Sequence, residues 1–309
     1  MSSGLVLIDK PSGWTSHDVV ARLRKLAGTR RVGHAGTLDP MATGLLLIGV
    51  NSATKLLTFL VGENKTYEAT IRLGAATITD DKESEFTTVA NSDEVKALTL
   101  TEIETVLATL RGPIEQVPSS VSAIKVDGER AYAKVRSGDE VKLKARPVTI
   151  HRFEVIGEPR LVTDGDNTFY DFDAIIDCSS GTYIRALARD LGAALGVGGH
   201  LTALRRTKIG SYSIDQAQNL DGLTAETLSV LPIELAATQQ FKVRSLSDQD
   251  VIDLRHGKRL RVIDETETAP TAPTAAIDSN GKLIAMLTKS GNAAKSLVVF
   301  AFDQSGEDD

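Results

Sequence analysis

The strand-like segments of this chain follow one another through short or irregular connections, and no other feature constrains the fold as much. Parallel neighbours need a crossover of a dozen or more residues, usually a regular helix. The segments VTIHRFEVI and FYDFDAIIDC lack such a crossover. In TYEATIRLG the residues Tyr67, Ala69, Ile71 and Leu73 alternate with Glu68, Thr70 and Arg72, the period of a half-buried strand. The expected architecture is therefore α+β, a mixed, largely antiparallel sheet with flanking helices.

The helices announce themselves by caps and periodicity. Thr15 or Ser16 can open one whose Val19, Val20, Leu23 and Leu26 share a face, with Gly28 as its stop. The glycines and proline from Gly33 to Gly44 predict irregular chain, and Leu45 to Val50 reads as a buried strand. Asp80 to Asn91 reads as polar loop. Thr101 with Glu104 predicts a capping box for a helix through Ile103, Val106, Leu107 and Leu110, ended by Gly112 and Pro113. Ile184, Leu187, Ala188 and Leu191 form the stripe of another helix, which Gly196 terminates. From Phe241 the pattern becomes that of a small β-rich domain. Ser247 caps a short helix ending at Gly257, strands fall around Ile277 and from Leu297 to Phe302, and ETETAPTAPT is a flexible loop.

With 309 residues, 41% of them hydrophobic, the chain can bury a full core and exceeds one domain of usual size. The sequence predicts a soluble, unsecreted, cytoplasmic protein, because no leader-like stretch or membrane-length apolar run stands out. The single cysteine, Cys178, and five scattered histidines offer no metal-ligand spacing. A net charge of −6 argues against indiscriminate nucleic-acid binding, yet the charges are segregated. Arg22, Arg24, Lys25, Arg30 and Arg31 occur between Val19 and Leu38 without an acid, and Arg205, Arg206 and Lys208 cluster again. Solvated helix faces would explain these runs, as would a surface for a particular anionic shape. Asp39, between glycine-rich turns and directly before Pro40, reads alone as a turn starter.

Five ordered blocks change that reading. They are VLIDKPSGWTSHDVV, RRVGHAGTLDPMATGLLLIGV, KTYEATIRLG, QVPSSVSAIKVDGERAYAKVRSG and CSSGTYIRALARDLGAALGVGGHLTALRRTKIG. Over nearly its whole length the chain resembles the TruB family of tRNA pseudouridine synthases. The resemblance implies a pseudouridine-synthase sheet and a catalytic role for Asp39. It also implies that Tyr67 stacks on the flipped base, with a hydroxyl able to serve in removal of the C5 proton, and that Arg185 is the cation that keeps Asp39 ionised. His34 matches the histidine that enters the RNA stack, and Tyr183 and Leu204 match residues lining the base pocket. Arg205 and Arg206 are then expected on phosphates. Lys10 and Pro11 match a Lys-Pro motif that is structural rather than chemical. Where many relatives carry an aromatic residue, this chain has Val121.

The segment LSDQDVIDLRHGKRL with the KLIAMLTK strand resembles a PUA domain, a small RNA-binding β barrel. The implied organisation is a catalytic domain at 1–237 with a helical RNA-gripping insertion at about 91–118, a PUA-like domain at 238–303, and an acidic tail at 304–309. The implied activity is isomerisation of uridine to pseudouridine at position 55 in the T loop of tRNA, after base flipping and without cofactor or metal. The implied partner is the tRNA T stem-loop, bound by a monomer that needs no other protein. Assistance to tRNA folding is compatible with this activity, and an RNA chaperone carrying a relic of the site is the alternative of another class. A hydrolase using Asp39 would need a second acid, which these motifs do not supply.

Overall fold

The computed structural model describes residues 2–119, 143–261 and 272–300, with two short paired strands at 125–126 and 129–130. The chain divides into two compact units. One comprises Met1–Pro40, Gly44–Val61 and Gly210–Asp309, the other Met41–Thr43 and Gly62–Ile209.

The first unit opens with β1 (Gly4–Lys10), α1 (Ser16–Ala27), β2 (Val32–Ala35), β3 (Thr43–Val50) and a single helical turn, α2 (Leu57–Leu60). β3 pairs antiparallel with both β1 and β2. Thr15 is the cap of α1: its side chain accepts from the Asp18 amide at 3.1 Å, while the Asp18 carboxylate accepts from the Thr15 amide at 2.9 Å. Gly28, at φ 65°, closes the helix in the left-handed region that a side chain would strain. Val19, Val20, Leu23 and Ala27 bury against Val6, Ile8, Leu46, Ile48 and Leu220. At roughly 1.5–3 kcal/mol for each large aliphatic side chain buried, this stripe fixes the helix and hence where its N-terminus points. The expected irregular chain from Gly33 to Gly44 is shorter than read. Val32–Ala35 pairs as β2 and strand resumes at Thr43, because a ladder needs backbone groups that glycine also supplies.

The second unit contains β4 (Lys65–Leu73), β5 (Ala75–Thr77), β6 (Phe86–Val89), α3 (Ser92–Ala97), α4 (Leu100–Thr109), β7 (Gly112–Gln116), β8 (Lys125–Val126), β9 (Glu129–Arg130), β10 (Arg146–Asp164), β11 (Asn167–Cys178), α5 (Ile184–Ala194) and β12 (Gly199–Ile209). Its sheet runs β12-β4-β11-β10-β7 with every pair antiparallel, and β10 is joined to β11 by the tight turn at 165–166 that an antiparallel pair allows. Three readings of this region need correction. The stretch from Asp80 to Asn91 is not all loop: Phe86–Val89 pairs with β5, but its four residues are exposed, so no apolar alternation marks it. The cap of α4 is Thr99 with Glu102, which satisfies the same spacing two residues earlier, while Glu104 binds Arg111 at 2.8 Å. Gly112 and Pro113 do not merely end a helix but begin β7, so the segment 91–118 finishes as an edge strand against β10. α5 carries the expected stripe, and it lies so close to the start of β12 that a Cβ on Gly192 would stand 2.1 Å from the Gly198 carbonyl carbon.

The chain then returns to the first unit through β13 (Tyr212–Ser213), β14 (Gln218–Asn219), β15 (Leu231–Pro232) and α6 (Ile233–Gln240). It ends in β16 (Lys242–Ser245), α7 (Asp248–Arg255), β17 (Leu260–Arg261), β18 (Thr274–Ile277), β19 (Leu283–Ser290) and β20 (Ala293–Val299). These five strands form their own sheet, ordered β16-β18-β19-β20-β17, around Leu246, Leu254, Leu260, Ile284 and Leu287. Ser247 caps α7 with Asp250 as its reciprocal partner. Val121, most of ETETAPTAPT and the acidic tail lie outside the described residues.

Candidate active site

In the first unit Asp39 is half-buried on the loop between β2 and β3, and the residues on either side of it are held from separate directions. On one side the Ser16 hydroxyl, at the start of α1, accepts from the Leu38 amide at 2.9 Å and donates to the Leu38 carbonyl at 3.2 Å. On the other, the Pro40 carbonyl accepts from the Gly13 amide at 2.8 Å and from Lys10 Nζ at 3.2 Å. Lys10 is fully buried, and its ammonium also donates to the carbonyls of Pro11 (3.0 Å) and Trp14 (2.7 Å). Three acceptors answer its three donors, which is how a buried ammonium avoids its desolvation cost. The carboxylate therefore sits on chain fixed by backbone contacts that do not use its own side chain. His34, on β2, is half-buried with its ring edge-on to His17 of α1, centroids 5.7 Å apart.

In the second unit Tyr67 occupies β4 with 7% of its surface exposed, and its register partners are Ile176 on β11 and Arg206 on β12. Register partners share a sheet face, so the buried Arg206, 1% exposed, lies beside the tyrosine rather than out in solvent. Arg205 is half-buried and donates to the Thr43 hydroxyl at 3.4 Å, so the two adjacent arginines differ in reach. Leu204 is buried opposite Ala69. Tyr183 is the residue from which α5 starts, and the buried Gln116 side chain clamps its backbone, accepting from its amide at 2.8 Å and donating to its carbonyl at 3.0 Å.

Arg185, in the first turn of α5, is also buried. Its guanidinium donates to the Thr79 carbonyl at 2.9 Å and to the Asp81 carboxylate at 3.2 Å. One turn later Arg189 meets Asp80 at 3.2 Å, so two arginines at helical spacing engage two consecutive acids. Asp80 holds a left-handed backbone, φ 57°, and burial pushes its carboxyl up against the pull of Arg189. Asp80, Asp81 and Gln116 carry no site role in the sequence reading, and Ser16 appears there only as a possible helix cap. Nothing in the local pattern separates the two aspartates from Glu83 and Glu85 a few positions on.

Lys65 is buried two residues before Tyr67 and donates to the Glu63 carbonyl at 2.6 Å. Burial, aided by the nearby Arg206 charge, lowers its pKa to about 8. Cys178, its register partner, has its thiol pushed up by burial to about 11. Because the folded Lys65 value lies below the ordinary 10.5, the unfolded chain binds more protons between pH 8 and 10.5, and stability contributed here rises with pH in that window. Lys65→Met is accordingly expected to stabilise the protein at pH 7 and to lose that advantage by pH 10.5, as read from urea midpoints. Among the described residues no three His, Cys, Asp or Glu side chains gather as metal ligands would, and no helix is long and apolar enough to cross a membrane.

Three family models match the chain in succession. TruB family pseudouridylate synthase (N terminal domain) covers residues 24–184, tRNA pseudouridylate synthase B C-terminal domain covers 185–232, and tRNA pseudouridine synthase II, C terminal, covers 241–301. Curated relatives include the tRNA pseudouridine synthase B of Paenarthrobacter aurescens, 57% identical over 97% of this chain and 96% of its own. That of Thermobifida fusca is 50% identical over 97% and 99%. Among solved structures, a complex of Cbf5, Nop10 and Gar1 superposes with a TM-score of 0.70 at 24% identity, covering 96% of this chain and 85% of the matched one. At that identity the likeness speaks to the fold.

Proposed function

The chain belongs to the TruB family of pseudouridylate synthases, and from that premise we propose that it isomerises uridine to pseudouridine at position 55 in the T loop of tRNA, with Asp39 as the catalytic carboxylate. It is an isomerase acting on tRNA. The observation that carries the finer reading is the carboxylate of the LDP loop, presented on chain whose neighbours Leu38 and Pro40 are both pinned.

The reaction breaks the C1′–N1 glycosidic bond, turns the uracil, and joins C1′ to C5, which then gives up its proton while N1 ends with one. No group is gained or lost overall, so no cofactor enters the balance. A positioned carboxylate can attack the uracil ring, attack the ribose, or take a ribose proton to give a glycal. All three routes begin with Asp39 ionised, and Arg185 is the cation assigned to support it. The target base must leave its stack, which assigns His34 to the vacated space and Tyr67, Tyr183 and Leu204 to the pocket that receives the base. Arg205 is the cation of its pair assigned to phosphate, with Arg206 beside Tyr67 within the pocket wall. On this reading residues 1–237 carry the chemistry, while the helices of 91–118 and the domain at 238–303 grip the RNA. The enzyme works as a cytoplasmic monomer.

The test is release of tritium from tRNA labelled at uracil C5, since isomerisation leaves the mass unchanged. Saturable release supports the reading, and none at any enzyme concentration would refute it. Tyr67→Phe keeps the ring and removes the hydroxyl, so tRNA affinity is expected to survive while release slows by roughly 10²-fold or more, the scale of a lost general acid–base group. A wild-type rate would leave Tyr67 with stacking alone.

A further inference from the structure

On the solvent side of α1, Trp14, Asp18, Ala21, Arg22 and Lys25 line an open cavity of about 640 Å³. The spacing makes this inevitable: positions 18, 21, 22 and 25 recur at three and four, opposite the buried stripe of Val19, Leu23 and Ala27. The Arg22 guanidinium stands 5.8 Å over the Trp14 ring and also donates to the Leu223 carbonyl at 3.4 Å, so the pair forms a flat wall with a fixed cation. Lys25, in the last turn, is exposed. The one acid, Asp18, is already spent on the capping box, its carboxylate accepting from the Thr15 hydroxyl at 2.6 Å and the Thr15 amide at 2.9 Å. Arg24 donates to the Val32 carbonyl at 3.2 Å, away from this lining.

The position of this cavity matters as much as its lining. The same helix begins at the Asp39 loop, where Ser16 holds Leu38, and its His17 ring meets His34. Lys25 lies nine residues beyond Ser16, about 14 Å along the axis at 1.5 Å per residue. An aromatic face beside two cations is the combination that binds a nucleotide, with base or ribose against the ring and phosphate on the charges.

The geometry points to this cavity as a nucleotide subsite, taking one nucleotide of the RNA outside the position that is modified, with the indole against its base and Lys25 and Arg22 on its phosphate. The assignment rests on the reading of RNA as substrate. It gives Arg22 and Lys25 of the cationic run from Val19 to Leu38 a specific target in a chain whose net charge is −6.

Trp14 is the chain's single tryptophan, so indole fluorescence reports on the surroundings of this one position. Titrating the full-length protein with unmodified tRNA is expected to change Trp14 emission saturably, with a midpoint equal to the Kd from filter retention. Arg22→Ala combined with Lys25→Ala is expected to weaken binding at least tenfold and to flatten the salt dependence of log Kd by about 1.5, two lost phosphate contacts. Lys25→Arg, with Arg22 intact, should restore the slope. Binding of tRNA with Trp14 emission unchanged, or a wild-type Kd and slope in the double variant, would overturn the subsite. The two readings fail separately. A Trp14 response without tritium release from any tRNA would keep the subsite and remove the isomerase reading, whereas normal release with silent Trp14 would do the reverse.

Discussion

Asp39→Ala is expected to abolish tritium release from C5-labelled tRNA, a fall of about 10⁴-fold or more, which is the scale on which loss of an essential reacting group acts. Affinity for tRNA should stay within about threefold, because one carboxylate contributes nothing favourable to holding a polyanion. The backbone anchors of the loop do not depend on the carboxylate. The bonds that place this loop run from Ser16 to Leu38 and from Lys10 and Gly13 to Pro40, all to backbone groups beside the aspartate. Those bonds remain when the side chain is cut back to alanine. Single-turnover release and filter binding on the same preparation, with a urea midpoint as control, give all three numbers. Turnover near the wild-type rate would remove Asp39 from the reaction.

The second large effect is expected at Asp81, a residue that touches the candidate chemistry only through Arg185. The two side chains are 1% and 7% exposed, and removing the carboxylate from so dry a pair takes from the buried guanidinium one of the groups that offset its desolvation, at a cost of up to about 3–5 kcal/mol. Asp81→Ala should therefore lower the urea midpoint severely and turnover with it. A loss of fold alone would produce the same drop in rate, so Asp81→Asn separates the causes. Asparagine can keep an acceptor for the Glu83 amide, now 2.9 Å from the carboxylate, while losing the charge that orients Arg185. The expectation is a smaller stability loss with kcat still reduced by roughly 10²-fold, about 2.7 kcal/mol of barrier. Wild-type kcat in a folded Asp81→Asn protein would show that the pair serves stability only.

What was legible in the sequence was whatever depends on local pattern. The alternation in TYEATIRLG placed Tyr67 on the buried face of β4, since a strand has no other way to satisfy a period of two. A cap at Thr15 or Ser16 and the stop at Gly28 bounded α1, because both act within one turn of helix, and the structure makes Thr15 the cap. Where the same local rule had two solutions, sequence could not choose: Thr99 with Glu102 and Thr101 with Glu104 share one spacing, and Arg111, fixed by the Phe153 carbonyl at 2.9 Å, draws Glu104 away. The site followed the same division. Asp39, Tyr67 and Arg185 could be named through their motifs, but the supports that hold them come from distant chain. Ser16 reaches Leu38 across 22 positions, Gln116 reaches Tyr183 across 67, and Asp81 reaches Arg185 across 104. No periodicity encodes such pairings. Gly192 is a like case, invisible as anything but a weak helix residue until β12 is seen to press against it.

The central claim is that the isomerised residue is the uridine at position 55 of tRNA, and one measurement addresses it directly. Two transcripts labelled with tritium at every uracil C5, identical except for a cytidine at position 55 in the second, are incubated with enzyme to completion. The account predicts one tritium released per molecule of the first transcript and none from the second. Equal release from both would contradict it, placing the reaction at another uridine, and no release from either would contradict the isomerase reading itself.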